Sequence, residues 1–301
     1  MLASDILHDA VKRKVAIGAF NFTNMEIIQA IVAGANELKT PVILQASSSA
    51  IKYMGFEYIH AMISVASKGS ETPIILHLDH GKDYEICKKA IDNGFDSVMI
   101  DASSLDFDKN IEITKEVVKY AGRFNVAVEA ELGTLAGVED EVSVAEGKAF
   151  YTDPNQAQEF IEKTGISSLA VAIGTSHGVN KGKSGNPKLS IETLKKIKEK
   201  VGDFPLVLHG ASSVYKDVID KCNKYGSNIQ NAYGITDEDI KKAIQNGIAK
   251  VNVDTDIRIA FLGTIRKYLT EEPTNIDMRK YLGAGRESAK EMVKRRIRTF
   301  I

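Results

Sequence analysis

The sequence predicts an α/β protein that closes into a (β/α)8 barrel of the TIM-barrel type. Eight short apolar runs are almost uninterrupted by polar residues, which indicates parallel strands covered on both faces. Helical segments separate these runs, and eight such strands in 301 residues are typical of a closed barrel. An open doubly wound sheet usually has fewer strands and often a glycine-rich turn after the first one, where this chain has FNFTN. The predicted strands are VAIGAF (15–20), PVILQA (41–46), PIILHL (73–78), SVMID (97–101), VAVEAEL (126–132), SLAVAIG (168–174), PLVLHG (205–210) and AKVNVD (249–254).

The segments between the strands carry apolar residues at helical spacing, as in residues 25–39. Residues 1–301 are therefore predicted to form one catalytic barrel domain, with helical extensions in the 212–247 connection and at the C-terminus. The C-terminal extension, RESAKEMVKRRIRTFI, is predicted to be an amphipathic helix whose basic face is solvated. The other long connection, residues 133–153, has glycines around acidic residues, which is typical of a mobile active-site loop.

Composition narrows the classes of protein to which the chain can belong. Its 39 basic and 40 acidic residues nearly cancel, whereas proteins that bind nucleic acid or membrane surfaces usually have a basic excess. No apolar run reaches the ~18 residues that a membrane span requires. The N-terminus lacks the apolar core of a signal peptide, and the two cysteines, Cys87 and Cys222, are predicted to be reduced thiols. These features predict a cytoplasmic protein that binds neither nucleic acid nor membrane.

Histidines are concentrated where the predicted strands end. His77, His80, His177 and His209, four of the six in the chain, lie at the ends of the third, sixth and seventh apolar runs. In a barrel, the carboxyl ends of the strands form the active-site mouth, so these side chains are expected to meet there. Three histidines with an open fourth position are the pattern of a catalytic zinc site, which predicts His80, His177 and His209 as ligands. His77 is expected either to orient a neighbouring group or to be an ordinary hydrogen-bonded core residue.

Carboxylates flank the predicted metal site. Asp79 is adjacent to a predicted ligand and is a candidate for proton transfer. Glu139, in the long loop, is a candidate for a second acid–base group, since a fixed and a mobile carboxylate can serve different steps. Asp101 and Glu131 also end strands, where they would bind a second cation or only form hydrogen bonds within the mouth.

Motifs after the last strands indicate an anion-binding site. HGASS (209–213) and NVDTD (252–256) occupy the places where barrels often hold phosphate. Gly210, Ala211 and Ser212 offer backbone N–H groups and a hydroxyl. Further candidates are Gly178 and Lys181 on the loop after the sixth strand, and the basic residues Arg258 and Arg279.

Taken in order, these motifs resemble the class II, metal-dependent fructose-bisphosphate aldolases, including the similar tagatose-bisphosphate aldolases. The resemblance extends from AIGAFNF near the N-terminus to DMRKYLGAGRE near the C-terminus, and so covers nearly the whole chain. HGASSV departs from the glycine-richer HGGTG of many members, and the connection before the last strand is longer than in shorter members. The motifs that carry the resemblance are HLDHG, SVMIDAS, VEAELG, GTSHG, HGASS and KVNVDTD.

The resemblance implies a zinc enzyme that reversibly cleaves fructose 1,6-bisphosphate into dihydroxyacetone phosphate and glyceraldehyde 3-phosphate. It implies that Asp79 donates a proton to the aldehyde oxygen and that Glu139 removes a proton from dihydroxyacetone phosphate. A second divalent cation at Asp101 and Glu131, or a monovalent cation, is compatible with it, as is a homodimer or homotetramer. It further implies a set of substrate contacts: Ser47, Gly178, Gly210, Ala211, Ser212, Asn252, Val253, Asp254, Thr255 and Arg279.

Alternatives stay open at this point. Tagatose 1,6-bisphosphate differs from the fructose sugar at one stereocentre, and the sequence does not separate the two substrates. A metal-dependent barrel hydrolase would use similar ligands, but it would not need two phosphate pockets. An aldolase with a lysine Schiff base would need a lysine at a strand end. The nearest lysines, Lys181, Lys183 and Lys250, lie in a loop or at the start of a strand, so the histidines favour metal chemistry.

Overall fold

The computed structural model describes residues 2–133, 136–139, 142–144, 150–177 and 188–301. Eight parallel strands form a closed barrel, as predicted, and Ile17 of the first strand pairs with Lys250 of the last to complete it. A small sheet in the order β7-β6-β9 lies outside the barrel. The strands are β1 (Ile17–Asn21), β2 (Val42–Ser47), β3 (Ile74–Gly81), β4 (Ser97–Ile100), β5 (Ala127–Leu132), β6 (Ala136–Glu139), β7 (Val142–Val144), β8 (Ser168–Val171), β9 (Ser176–His177), β10 (Leu206–Leu208) and β11 (Ile248–Val253).

Helices surround the barrel, and side-chain caps fix where several of them begin. Asn24 and Asp83 each accept a hydrogen bond from the backbone N–H three residues later, and Thr236 does the same at the start of the helix predicted in the 212–247 connection. The helices are α1 (Ala3–Arg13), α2 (Met25–Leu38), α3 (Ser48–Met54), α4 (Phe56–Lys68), α5 (Tyr84–Asp92), α6 (Phe107–Ala121), α7 (Pro154–Thr164), α8 (Ile191–Val201), α9 (Lys216–Lys224), α10 (Asp237–Gln245), α11 (Thr255–Glu271) and α12 (Met278–Phe300).

Among the described residues, the two largest of three apolar clusters leave one end of the barrel for polar chemistry. The larger fills the space between the strands and the outer helices. The smaller lies where α1 packs against the barrel, with Ile6 and Leu7 against Ile17 and Ile43. Because α1 covers the N-terminal end of the strands, the carboxyl ends are left for the polar residues, and most of the predicted site residues lie there.

The C-terminal helix α12 packs against α2 and α11 on the outside of the barrel. Its apolar side is buried through residues such as Val293 and Ile297, as an amphipathic helix requires. Its basic face is not wholly solvated, however, because Arg296 is fully buried among polar partners. Both cysteines are buried free thiols. Among the described helices, none is long and apolar enough to cross a membrane.

Candidate metal centre

A bulge in β3 brings two consecutive residues to the same site. Adjacent side chains of a regular strand point to opposite faces. Here Leu78 pairs with Val98 and Gly81 with Ile100, so Asp79 and His80 together oppose one residue of β4. This is a β-bulge, and His80 adopts a left-handed backbone with φ of 48°. A side chain at Gly81 would meet the Met99 carbonyl at 2.6 Å, so the bulge requires glycine there.

Two of the three predicted histidine ligands face each other across the barrel mouth. His80 Nε2 lies 3.0 Å from His209 Nδ1, and their rings are nearly perpendicular. With Asp79 they form a group whose ligand atoms all lie within 4.8 Å of one another. The two nitrogens are close enough for both to bond to one zinc ion at about 2.0–2.1 Å.

The outer nitrogens of these two rings are each engaged by a carboxylate. His80 Nδ1 lies 2.7 Å from Asp101 Oδ2, and His209 Nε2 lies 2.8 Å from Glu129 Oε1. The tautomer that donates to a carboxylate carries its proton on that nitrogen, which leaves a lone pair on the opposite one. The two nitrogens that face each other then both present lone pairs, an arrangement that a cation between them stabilises. Carboxylates behind ligand histidines are also usual at zinc sites, so these residues fit a zinc ion.

Asp79 is held in place by amide side chains from two other strands. Asn21 Nδ2 donates to Asp79 Oδ2 at 2.7 Å, and Asn252 Nδ2 lies 3.3 Å from Oδ1. Gln45 in turn donates to Asn21 Oδ1 at 2.9 Å. All four residues are buried. The carboxylate of Asp79 is therefore fixed beside the two histidines, as proton transfer to a bound substrate requires.

The carboxylate that contacts His209 belongs to a buried ion pair between Glu129 and Lys250. Lys250 Nζ lies 2.8 Å from Glu129 Oε2 and 3.3 Å from His77 Nε2, and both charged side chains are only 1% exposed. His77 also contacts Ser97, so its described partners are core groups and not the candidate ligands. Burial alone would raise the pKa of Glu129, but the Lys250 ammonium and the His209 hydrogen bond outweigh it and hold that pKa below its usual range. Glu129 is therefore ionised.

Sequence reasoning missed the roles of Glu129 and Lys250. The sequence predicts Lys250 at the start of a strand, whereas it is the third residue of β11 and is buried inside the barrel. The signal was present in the sequence, since a lysine within the apolar run AKVNVD must find a counter-charge if it is buried. Glu129 shares strand parity with Glu131, so the two side chains point to the same face of β5, and both are buried. Burial lowers the pKa of His209, which favours the neutral imidazole that binds metals.

Asp101 and Glu131 belong to a second group of potential ligands that shares His80 with the first. The three residues form a second group whose ligand atoms are within 4.8 Å of one another. Burial would raise the pKa of Asp101, but the hydrogen bond and charge of His80 and the bonds from Ser103 hold it well below its usual range. In this structure Asp101 contacts the outer nitrogen of His80, which is the position of a group that orients a ligand.

The third predicted ligand and the loop acid lie on the small outer sheet. β6, which contains Glu139, pairs in parallel with β9, which contains His177, and Gly137 is opposite His177. The backbone of the two segments is therefore adjacent. The side chains of His177 and Glu139, and the whole of Gly178 and Lys181, lie outside the described residues.

Most of the predicted substrate-binding residues lie at the same end of the barrel. Ser47 ends β2, where its hydroxyl caps α3. Asp254 follows β11 and binds Arg258 at 2.6 Å. Arg279 is different, because its side chain is 90% exposed and its described bonds run to Asp277 at the start of α12. The other members lie at or just after strand ends: Gly210, Ala211 and Ser212 follow β10, Asn252 and Val253 end β11, and Thr255 follows it.

Comparison with known proteins agrees with this architecture. The sequence profile of the class-II fructose-bisphosphate aldolases matches residues 2–301. A protein named fructose-bisphosphate aldolase from Giardia intestinalis is 48% identical, over 98% of this chain and 91% of the relative. One of the same name from Thermus caldophilus is also 48% identical, over 98% and 96% of the two chains. The crystal structure of the YdjI aldolase from Escherichia coli K12 superposes with a TM-score of 0.81 at 34% identity, over 100% of this chain and 97% of the other. The chain thus belongs to the class-II fructose-bisphosphate aldolase family and is an aldolase, a carbon–carbon lyase.

Proposed function

We propose that this aldolase reversibly cleaves fructose 1,6-bisphosphate into dihydroxyacetone phosphate and glyceraldehyde 3-phosphate, with zinc as its resident ion. The observation that carries the proposal is the pair of facing histidine nitrogens, His80 Nε2 and His209 Nδ1, each with a carboxylate behind it. Relatives named fructose-bisphosphate aldolase at 48% identity favour the fructose over the tagatose sugar.

The residues of the site divide the work of the reaction. His80, His209 and the predicted third ligand His177 would hold the ion. When bound, zinc supplies Lewis-acid stabilisation of the negative charge that carbon–carbon cleavage leaves on the dihydroxyacetone phosphate half. Glu129 and Asp101 keep the ligand rings in the required tautomer and orientation.

Two carboxylates account for the protons. In the cleavage direction, Asp79 accepts the proton of the C4 hydroxyl while the C3–C4 bond breaks and that oxygen becomes the aldehyde. Its two amide donors hold it as an acceptor in one position. Glu139 then returns a proton to C3 of the enolate, which completes dihydroxyacetone phosphate. In the synthetic direction both transfers run in reverse, in accordance with microscopic reversibility.

The predicted anion-binding residues would hold the two phosphates. Residues 210–212 and 252–255 lie on adjacent strand ends, because β10 and β11 are neighbours in the barrel. That is the position in which barrels of this type commonly bind phosphate. Ser47 would contact the glyceraldehyde phosphate half, and Arg279 would have to approach the distal phosphate from its exposed position.

A homodimer or homotetramer in the cytoplasm is part of the proposal, and light scattering of the purified protein tests the assembly.

The decisive experiment combines metal content with product analysis. We expect the purified protein to contain zinc and to release dihydroxyacetone phosphate faster from fructose 1,6-bisphosphate than from tagatose 1,6-bisphosphate. A chelator should abolish activity and added zinc should restore it. Faster cleavage of the tagatose sugar would reassign the substrate. Release of inorganic phosphate without dihydroxyacetone phosphate would reject the aldol reaction in favour of hydrolysis.

A further inference from the structure

A second buried polar cluster lies behind the loop that follows β10, outside the candidate metal centre. We call residues 210–215 the β10 loop. The cluster is centred on Arg296 of α12, whose side chain is 0% exposed. Burying a guanidinium is strongly unfavourable unless its charge and its donors are matched. The partners of Arg296 therefore indicate what the residue does.

Arg296 binds the β10 loop at several points. Its Nη2 donates to the Ala211 carbonyl at 3.1 Å, and its Nη1 donates to Tyr215 Oη at 2.9 Å and to the Ser213 hydroxyl. The planar guanidinium fixes the angle between these donors, so the contacts define the shape of the loop and not only its distance from α12. Ala211 is one of the residues predicted to bind phosphate.

Two carboxylates complete the cluster, and both also bind the loop. Asp237 accepts a bond from Arg296 Nη1 at 2.8 Å and one from Tyr215 Oη at 2.7 Å. Asp256 lies 3.5 Å from Arg296 Nε and accepts the backbone N–H groups of Ser213 and Val214 at 2.9 and 2.7 Å. Because these carboxylates offset the charge of Arg296, the arginine acts on the loop through geometry more than through its field.

The β10 loop has a strained backbone that requires these contacts to hold it. Val214 has φ of 49°, a left-handed backbone that costs a β-branched residue on the order of 1–3 kcal/mol. Gly234 packs closely against the loop, since a Cβ there would lie 2.2 Å from the backbone of Ser213. Ile235 also donates to the Ser212 carbonyl at 3.2 Å. Gly234 and Ile235 of the long connection before β11 thus constrain the loop in addition to Arg296.

We propose that Arg296 is a positioning residue for phosphate recognition. It holds the β10 loop in the one conformation in which Gly210, Ala211 and Ser212 receive a phosphate group of the substrate. Preorganising these groups removes the entropy cost of ordering them when the anion binds. The inference rests on the proposed function, because that function assigns the phosphate to this loop. The described hydrogen bonds of Arg296 run to the β10 loop and to Asp237, and not to the candidate metal ligands.

The test compares Arg296→Lys with a matched control on the holoenzyme. Lysine keeps the charge but loses the fork that reaches Ala211 and Tyr215 together. Arg298→Lys makes the same change two residues along α12 at an exposed position. For Arg296→Lys we expect the Kd of inorganic phosphate and the KM of fructose 1,6-bisphosphate to rise about tenfold, as loss of uniform binding requires, while kcat and zinc content change less than about twofold. Arg298→Lys should match the wild type in all four quantities.

Each outcome decides for or against the proposal. Wild-type phosphate affinity in a folded Arg296→Lys protein overturns it, and so does a loss of zinc, which would place the effect at the metal centre. A purely structural role would slow proton exchange on unphosphorylated dihydroxyacetone as much as on dihydroxyacetone phosphate, whereas the proposal predicts that only the phosphorylated substrate is affected.

Two further measurements distinguish a failure of the inference from misfolding of the variant and from a failure of the proposed function. If Arg296→Lys does not fold, Tyr215→Phe removes only the hydroxyl between Arg296 and Asp237, and it must still weaken phosphate binding measurably; unchanged binding overturns the proposal. If the wild type binds phosphate but does not cleave fructose 1,6-bisphosphate, the proposed function fails while the phosphate measurements still decide the role of Arg296. A wild type that binds no phosphate overturns the inference itself.

Discussion

Lys250 and Arg296 are both fully buried cations, but their counter-charges come from different kinds of structure. Lys250 meets Glu129 inside the barrel, where both side chains project from strands whose register the barrel fixes. Arg296 lies outside the barrel and meets Asp237 and Asp256, each within the first two residues of a separate helix. The metal centre is therefore positioned by sheet geometry, whereas the β10 loop is positioned by how the outer helices pack.

This contrast predicts that changes in the two regions separate in what they affect. Changes at the barrel mouth should alter metal binding and chemistry. Changes around the β10 loop should alter the affinity for phosphorylated substrates and leave the metal in place. The following predictions test that separation in order of the expected effect.

The largest effect is expected for His209→Ala. It removes a predicted ligand and leaves Glu129 without the ring that it orients. We expect zinc content and aldol cleavage to fall together to background, measured by elemental analysis and a coupled assay. His8→Ala, at an exposed histidine on α1, is the control and should change neither. Full activity in a His209→Ala protein stripped of zinc would contradict the assignment of the metal centre.

Asp79→Ala should separate chemistry from metal binding within the mouth. The substitution removes the proton-transfer group but leaves both facing histidines, so we expect zinc to be retained and turnover to fall by ~10² or more. Steady-state kinetics and zinc analysis on the same preparation measure both quantities. Unchanged turnover would remove Asp79 from the mechanism, and loss of zinc would instead make Asp79 a ligand, which its position in the first ligand group allows.

Glu129→Gln tests the buried carboxylate that links Lys250 to His209. Glutamine keeps the shape but removes the charge that Lys250 needs, and breaking a buried pair in this way costs about 3–5 kcal/mol of the free energy of unfolding. Loss of the carboxylate behind His209 should also weaken zinc binding about 10–100-fold. The double variant Glu129→Gln, Lys250→Met should regain stability without regaining zinc affinity. Zinc affinity that recovers along with stability would show that Glu129 serves only the fold. Denaturant unfolding and zinc titration distinguish these results.

Much of the mouth could be predicted from sequence because strand ends of a closed barrel must converge. The apolar runs located all eight barrel strands, and the histidines at their ends predicted that His80 and His209 lie together. The bulge at His80 could not be predicted, since alternation along a strand places Asp79 and His80 on opposite faces. The role of Arg296 was also beyond sequence, because its partners lie 59 and 83 residues away, at Asp237 and Ser213, and are brought together only by tertiary packing.

The smallest effects are expected at two glycines that differ in their surroundings. Gly234→Ala places a methyl group 2.2 Å from the backbone of Ser213, so the β10 loop must shift. Overpacking of this kind should lower the free energy of unfolding by about 1–3 kcal/mol and raise the KM of fructose 1,6-bisphosphate, with zinc content unchanged. Gly283→Ala is the control, because a Cβ there meets nothing within 4 Å and the residue lies inside α12. It should raise stability by about 0.5–1 kcal/mol and leave KM alone, since alanine is the better helix former. An unchanged KM in Gly234→Ala would show that phosphate affinity does not depend on the position of the β10 loop. That result would contradict the claim that changes around this loop alter the affinity for phosphorylated substrates.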